Sequence, residues 1–170
     1  MSTRSCIIIK VRKEDIGKEL VFDSEKVPVT QRKWSDDNPI MSEKDVPDMC
    51  KPILIEKPYI AIYCHWDGYI EGVGKSLKLN FTNYEQALNL VLGGWCSVVD
   101  DDHILRYAVR AGEKWDVIKP LQFDTAEDAV NEFEGSWAEY AYLYLNNEHD
   151  WVVKEIIEKS GFKDYDVDED

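Results

Sequence analysis

Residues 53–66 read ILIEKPYIAIYCHW, and the second half of that stretch decides the fold. Past the break at Lys57-Pro58 the chain has a period of two. Ile60, Ile62, Cys64 and Trp66 fall on one face; Tyr59, Ala61, Tyr63 and His65 fall on the other. Upstream, CIIIKV at residues 6–11 is β-branched with a continuous apolar start, which predicts a strand covered on both faces and central in its sheet. Downstream, the segment Asp67-Gly68-Tyr69 breaks the strand, and Gly72 and Gly74 precede a short helix over about 74–80. Thr82 or Asn83 can cap the next helix, with Glu85 or Gln86 closing a capping box. Its stripe is Tyr84, Ala87, Leu88, Val91 and Leu92, and Gly93-Gly94 ends it.

The remaining chain alternates short strands with one more helix. A short strand is expected in WCSVV, another over 104–110, and a third over Trp115–Ile118. Thr125 caps a helix with the stripe Ala126, Ala129, Val130 and Phe133. Segments 140–145 and 151–157 flank NNEHD as a hairpin, against the competing reading of 136–145 as continued helix. Strands gathered in hairpins point to an α+β fold: a mostly antiparallel curved sheet with two or three helices packed on one face. One domain is expected over 1–163, with a long irregular excursion at 12–52 and a short strand near Glu19–Phe22. The acids of DYDVDED mark 164–170 as an acidic tail.

Composition narrows the function classes. The 170 residues carry a net charge of −14, with 44% hydrophobic side chains, so wholesale disorder is excluded. Residues 1–75 hold 12 basic and 13 acidic side chains; residues 76–170 hold 8 and 21. Such a surface repels phosphate and disfavours direct nucleic-acid binding, yet it attracts a basic protein groove. No membrane span or secretion signal is read, so a cytoplasmic protein is expected, with Cys6, Cys64 and Cys96 as small buried hydrophobes.

Tyr63-Cys64-His65-Trp66-Asp67-Gly68-Tyr69, together with Thr3-Arg4-Ser5, resembles a widespread set of small, mostly uncharacterised proteins of phages, prophages and mobile elements. These begin with TRS before a strand and carry YCHWDGY before a glycine and a short helix, here Gly72-Val73-Gly74-Lys75-Ser76-Leu77. Further similarities are Leu92-Gly93-Gly94, Arg110-Ala111-Gly112-Glu113 and the late aromatic strand Tyr140–Tyr144. The chain departs from that pattern at Trp95, where relatives have aspartate, and at Ile70, where many have proline. The resemblance implies an origin in mobile elements rather than a mechanism.

Cys64, His65 and Asp67 have the residue types of a catalytic site, but adjacent strand residues point to opposite faces, so Cys64 and His65 cannot pair without a bulge. His65 and Asp67 share a face if the strand persists, and remain the catalytic candidates. A ligand site beside the heptapeptide would use Arg4, His65, Asp67, Tyr69, Lys75 and Arg110, with Arg106 a further cation. Gly72–Ser76 lacks the spaced first glycine of a phosphate loop. His103 with Asp100, Asp101 and Asp102 does not make a calcium-type loop, and neither a metal nor another cofactor is expected. The expected function is an accessory binding protein. It would occlude a host protein, of defence or nucleic-acid handling, through Asp100, Asp101, Asp102, Asp164, Asp166 and Asp168. The alternative is a nucleotide or small-molecule protein with a pocket beside the heptapeptide.

Overall fold

The computed structural model describes residues 3–23, 26, 30–32, 52–99, 103–111, 114–145, 151–157 and 161–166. In chain order the strands are β1 (Ser5–Lys10), β2 (Glu19–Leu20), β3 (Thr30–Arg32), β4 (Ile53–Leu54), β5 (Tyr59–Cys64), β6 (Cys96–Val99) and β7 (His103–Arg106). They continue with β8 (Ala108–Ala111), β9 (Lys114–Val117), β10 (Leu121–Phe123), β11 (Tyr140–Tyr144), β12 (Trp151–Ile157) and β13 (Gly161–Asp166). The helices are α1 (Lys75–Asn80), α2 (Tyr84–Leu92) and α3 (Ala126–Glu134), with a π-helical turn at Ile70–Gly74 leading into α1.

The protein is α+β. The main sheet runs β13-β12-β11-β1-β5-β6-β7-β3, and β10 pairs with the first half of β5. Most of its pairings are antiparallel; β1 with β11, β5 with β6 and β3 with β7 are parallel. β1 lies between β5 and β11, and Cys6 to Ile9 are buried, so the unbroken apolar run does mark a central strand. The period of two divides the core as expected. Ile7, Ile9, Ile60, Ile62 and Cys64 join one cluster with α1 and α2, while Cys6, Ile8, Ala61 and Tyr63 join the other. Two helices therefore share a face, the lower of the expected counts, and α3 packs on the opposite face through Ala129, Val130 and Phe133.

Helix starts follow the cap chemistry. Asn83 Oδ1 accepts from Gln86 N at 2.9 Å, and Gln86 Oε1 accepts in return from Thr82 N at 2.9 Å. Thr125 Oγ1 accepts from Asp128 N at 3.1 Å. The stretch 136–145 leaves the helix, Trp137 taking φ 70, and becomes β11.

Three details differ from the sequence reading. The segment 104–110 is two strands in different sheets, and Tyr107 is the changeover: its N donates to Trp95 O at 2.9 Å in continuation of the β6–β7 pairing, and its O accepts from Ile118 N at 3.4 Å in continuation of the β8–β9 pairing. β3 and β10, three residues each, are too short to show a period. β2 does form at Glu19–Leu20, paired with β4, but the excursion's residues 33–51 lie outside the described set. The expected tail at 164 begins inside β13, whose register sets Asp164 opposite Lys154 and Lys163 opposite Glu155.

Candidate functional site

The heptapeptide is a junction at one end of the sheet. β5 stops at Cys64, and the chain then follows β6, with His65 N donating to Cys96 O at 3.0 Å and Trp66 N to Ser97 O at 2.8 Å. Asp67 turns the chain at φ 56, and Gly68 N donates to Thr3 O at 2.8 Å. A Cβ on Gly68 would sit 2.7 Å from Ser5 Cβ, so this crossing admits only glycine. Tyr142 Oη donates to Gly68 O at 2.6 Å, and a Cβ on Gly74 would approach the Tyr142 ring at 2.9 Å. Thr3-Arg4-Ser5, the heptapeptide, Gly74 and the late aromatic strand are thus one packed unit.

The reactive side chains are largely committed to that packing. Cys64 is fully buried, its thiol 3.6 Å from Trp66 O, and burial pushes its pKa well above the ordinary thiol range. Cys6 and Cys96 are raised for the same reason, and a buried thiol of this kind is a poor nucleophile. His65 is half-buried, with Nδ1 2.9 Å from Tyr63 Oη and its ring beside Trp66 and Tyr107. The face shared by His65 and Asp67 is lost, because the strand ends before them. It is the Tyr63 hydroxyl that stands at Nδ1. Asp67 is exposed at its turn, and no hydrogen bond among the described residues reaches its carboxylate. Trp66 and Tyr69 stay 37% and 41% exposed beside it.

The other expected ligand residues gather only in part. Arg4 is half-buried before β1, and its carbonyl accepts from Glu139 N at 2.8 Å. Because Ser5 pairs with Cys64, Arg4 lies at the same sheet end as His65, Asp67 and Tyr69. Lys75 is exposed at the first residue of α1. Arg110 is in β8, opposite Trp115 in the separate β8–β9 hairpin. Arg106 does not join this group: it is fully buried against the end of α2. Asp100, Asp101, Asp102 and Asp168 lie outside the described residues; Asp164 and Asp166 are placed in β13.

The sequence reading missed an acidic groove along α3. Asp124, Asp128 and Glu132 recur every four residues and line a cavity of about 450 Å³ with Asn131, Phe123 and Lys57. Lys57 Nζ stands 3.7 Å from Asp124 Oδ2. Glu127 and Asp128 also complement the positive end of the helix dipole. The signal was present in FDTAEDAVNEFE, on the side opposite the apolar stripe. Behind the groove, Phe123 contacts Phe133, and Phe133 stacks on Tyr63, so an aromatic row links its wall to His65. Among the described residues no cluster of His, Cys, Asp or Glu could hold a metal ion, and no helix is long and apolar enough to cross a membrane.

Comparison with protein-family models, with curated proteins and with solved structures finds no match for this chain.

Proposed function

We propose that this chain is a non-enzymatic accessory protein of a phage or mobile element that occludes a basic surface on a host protein. The observation that carries this reading is the outward face of α3 and the residue before its cap, where Asp128, Glu132 and Asp124 line an open groove on a chain of net charge −14. Such a field attracts lysine- and arginine-rich surfaces and repels phosphate. The packing of Cys64 and the Tyr63–His65 contact support binding over catalysis, since both groups serve the junction. A defence or nucleic-acid-handling protein fits as the host target, because such proteins carry basic grooves. Asp164 and Asp166 extend the acidic character to the edge of the sheet.

The test is affinity capture from host lysate with the wild type, with Asp128→Lys/Glu132→Lys and with Asp164→Lys/Asp166→Lys. A basic protein held stoichiometrically by the wild type, released as salt rises and lost on α3 reversal, is the expected result. Capture indifferent to both reversals would overturn the reading. A co-purifying nucleotide lost in His65→Ala would move the function to a ligand site beside the heptapeptide, where the His65 and Trp66 rings are in contact and Tyr69 is exposed.

A further inference from the structure

The guanidinium of Arg106 is fully buried, and the ion pairs of the described residues do not include it. Its Nη1 donates to Leu90 O and Gly94 O, each at 2.8 Å, and lies 3.3 Å from Cys96 Sγ. Leu90 O belongs to the last turn of α2 and Gly94 O lies just past its cap, where acceptors are left over and the helix dipole favours a cation. Nη1 therefore has a structural role. Nε and Nη2 do not share it: among the described residues, both are buried without an acceptor. These two nitrogens form one edge of the guanidinium, whose parallel N–H bonds match two oxygens of an oxyanion. Burying that edge dry is costly unless something else uses it.

The surroundings have the parts of a covered site. Gly93 lies against Nη2, and a Cβ there would collide with the guanidinium. Asn89, four residues earlier on the same face of α2, is buried. Its amide clasps a passing strap: Asn89 Oδ1 accepts from Asp23 N, and Asn89 Nδ2 donates to Asp23 O, both at 2.9 Å. The preceding residue, Phe22, is half-buried and lays its ring 5.0 Å from Arg106 Cζ.

We infer that the Nε/Nη2 edge of Arg106 anchors a binding site for a small oxyanion, a phosphate or carboxylate group, with the Phe22–Asp23 strap as its lid. Lifting the strap uncovers the guanidinium and releases the Asn89 amide N–H as a second donor. The negative end of α2 disfavours an anion, and the full positive charge of Arg106 beside it is what offsets that. The site is separate from the α3 groove and does not depend on the acidic-surface reading, since Arg106 packs with α2 on the other face of the sheet.

The experiment is thermal unfolding of the full chain titrated with inorganic phosphate and, separately, with acetate, against chloride at matched ionic strength. A ligand that binds only the folded state raises the melting temperature saturably. Phosphate, acetate or both are expected to do so, chloride not. Response to phosphate alone identifies a tetrahedral dianion, and response to acetate a carboxylate. Phe22→Ala, which removes the cover but no hydrogen bond, is expected to half-saturate at about tenfold lower concentration, because less of the binding energy opens the lid. Arg106→Lys keeps the charge without the paired edge and is expected to lose the response. Where Arg106→Lys fails to fold, Phe22→Ala decides. Equal titrations of the wild type and Phe22→Ala by all three anions would overturn the inference, as would an undiminished response in Arg106→Lys.

Discussion

The two helices that flank the centre of the sheet have equal length and opposite use. α2 buries seven of its nine residues, α3 only three. α2 is covered on one side by the sheet and elsewhere by Arg106 and the Phe22–Asp23 strap, so its end needs an internal cation and offers little surface. α3 buries one stripe and turns acids outward into an open groove. The contrast is one of access: α3 leaves an open groove, while the end of α2 is enclosed.

The largest test of that contrast is Phe133→Ala. Phe133 is fully buried and joins Phe123, Tyr63 and Trp95, so its loss is expected to cost about 3–5 kcal/mol in denaturant unfolding. A loss under about 1 kcal/mol would mean that α3 is merely laid on the sheet and not part of a second core.

Alkaline pH comes next. The buried thiols of Cys6, Cys64 and Cys96 keep their protons in the folded state, whereas the unfolded chain loses them near pH 8.5. Their contribution is intact below that pH and falls as pH rises towards the raised folded values, by about 1.4 kcal/mol per unit for each thiol. Cys64 and Cys96 lie on the α2 face and Cys6 on the α3 face. Melts from pH 7 to 10 should therefore flatten more in a Cys64→Ala/Cys96→Ala variant than in Cys6→Ala.

Smaller effects are expected at the caps. Asn83→Ala and Thr125→Ala each remove a side-chain acceptor from a helix start and should cost about 1 kcal/mol in chemical unfolding. The smallest is Asp128→Lys/Glu132→Lys. Both sites are exposed, so folding should change by no more than about 0.5 kcal/mol per site while partner capture is lost. A large stability change there would assign the acids to the fold rather than to binding.

Much of the architecture was legible in local chemistry. The alternation over 59–64, the apolar run of β1, both capped helices and the hairpin of β11 with β12 follow from side-chain period and cap residues. These are interactions between near neighbours in the chain, and the residues carry them wherever they are placed. What escaped was set by distant partners. β10 exists because half of β5's edge takes a short strand, and the 104–110 segment divides at Tyr107 because the chain there passes from pairing with β6 to pairing with β9.

The candidate site divides in the same way. The sequence by itself determined that the heptapeptide closes a strand, that the thiols are buried and that the C-terminal half is acidic. Only the tertiary structure decided that Gly68 is pressed on Thr3 and Ser5, that Tyr63 rather than Asp67 stands at His65 Nδ1, and that Arg106 turns inward to the end of α2. The reason is physical. Periodicity assigns a face, but what a polar group on that face meets depends on which strand or helix end is brought beside it. That is fixed by packing between segments far apart in the chain.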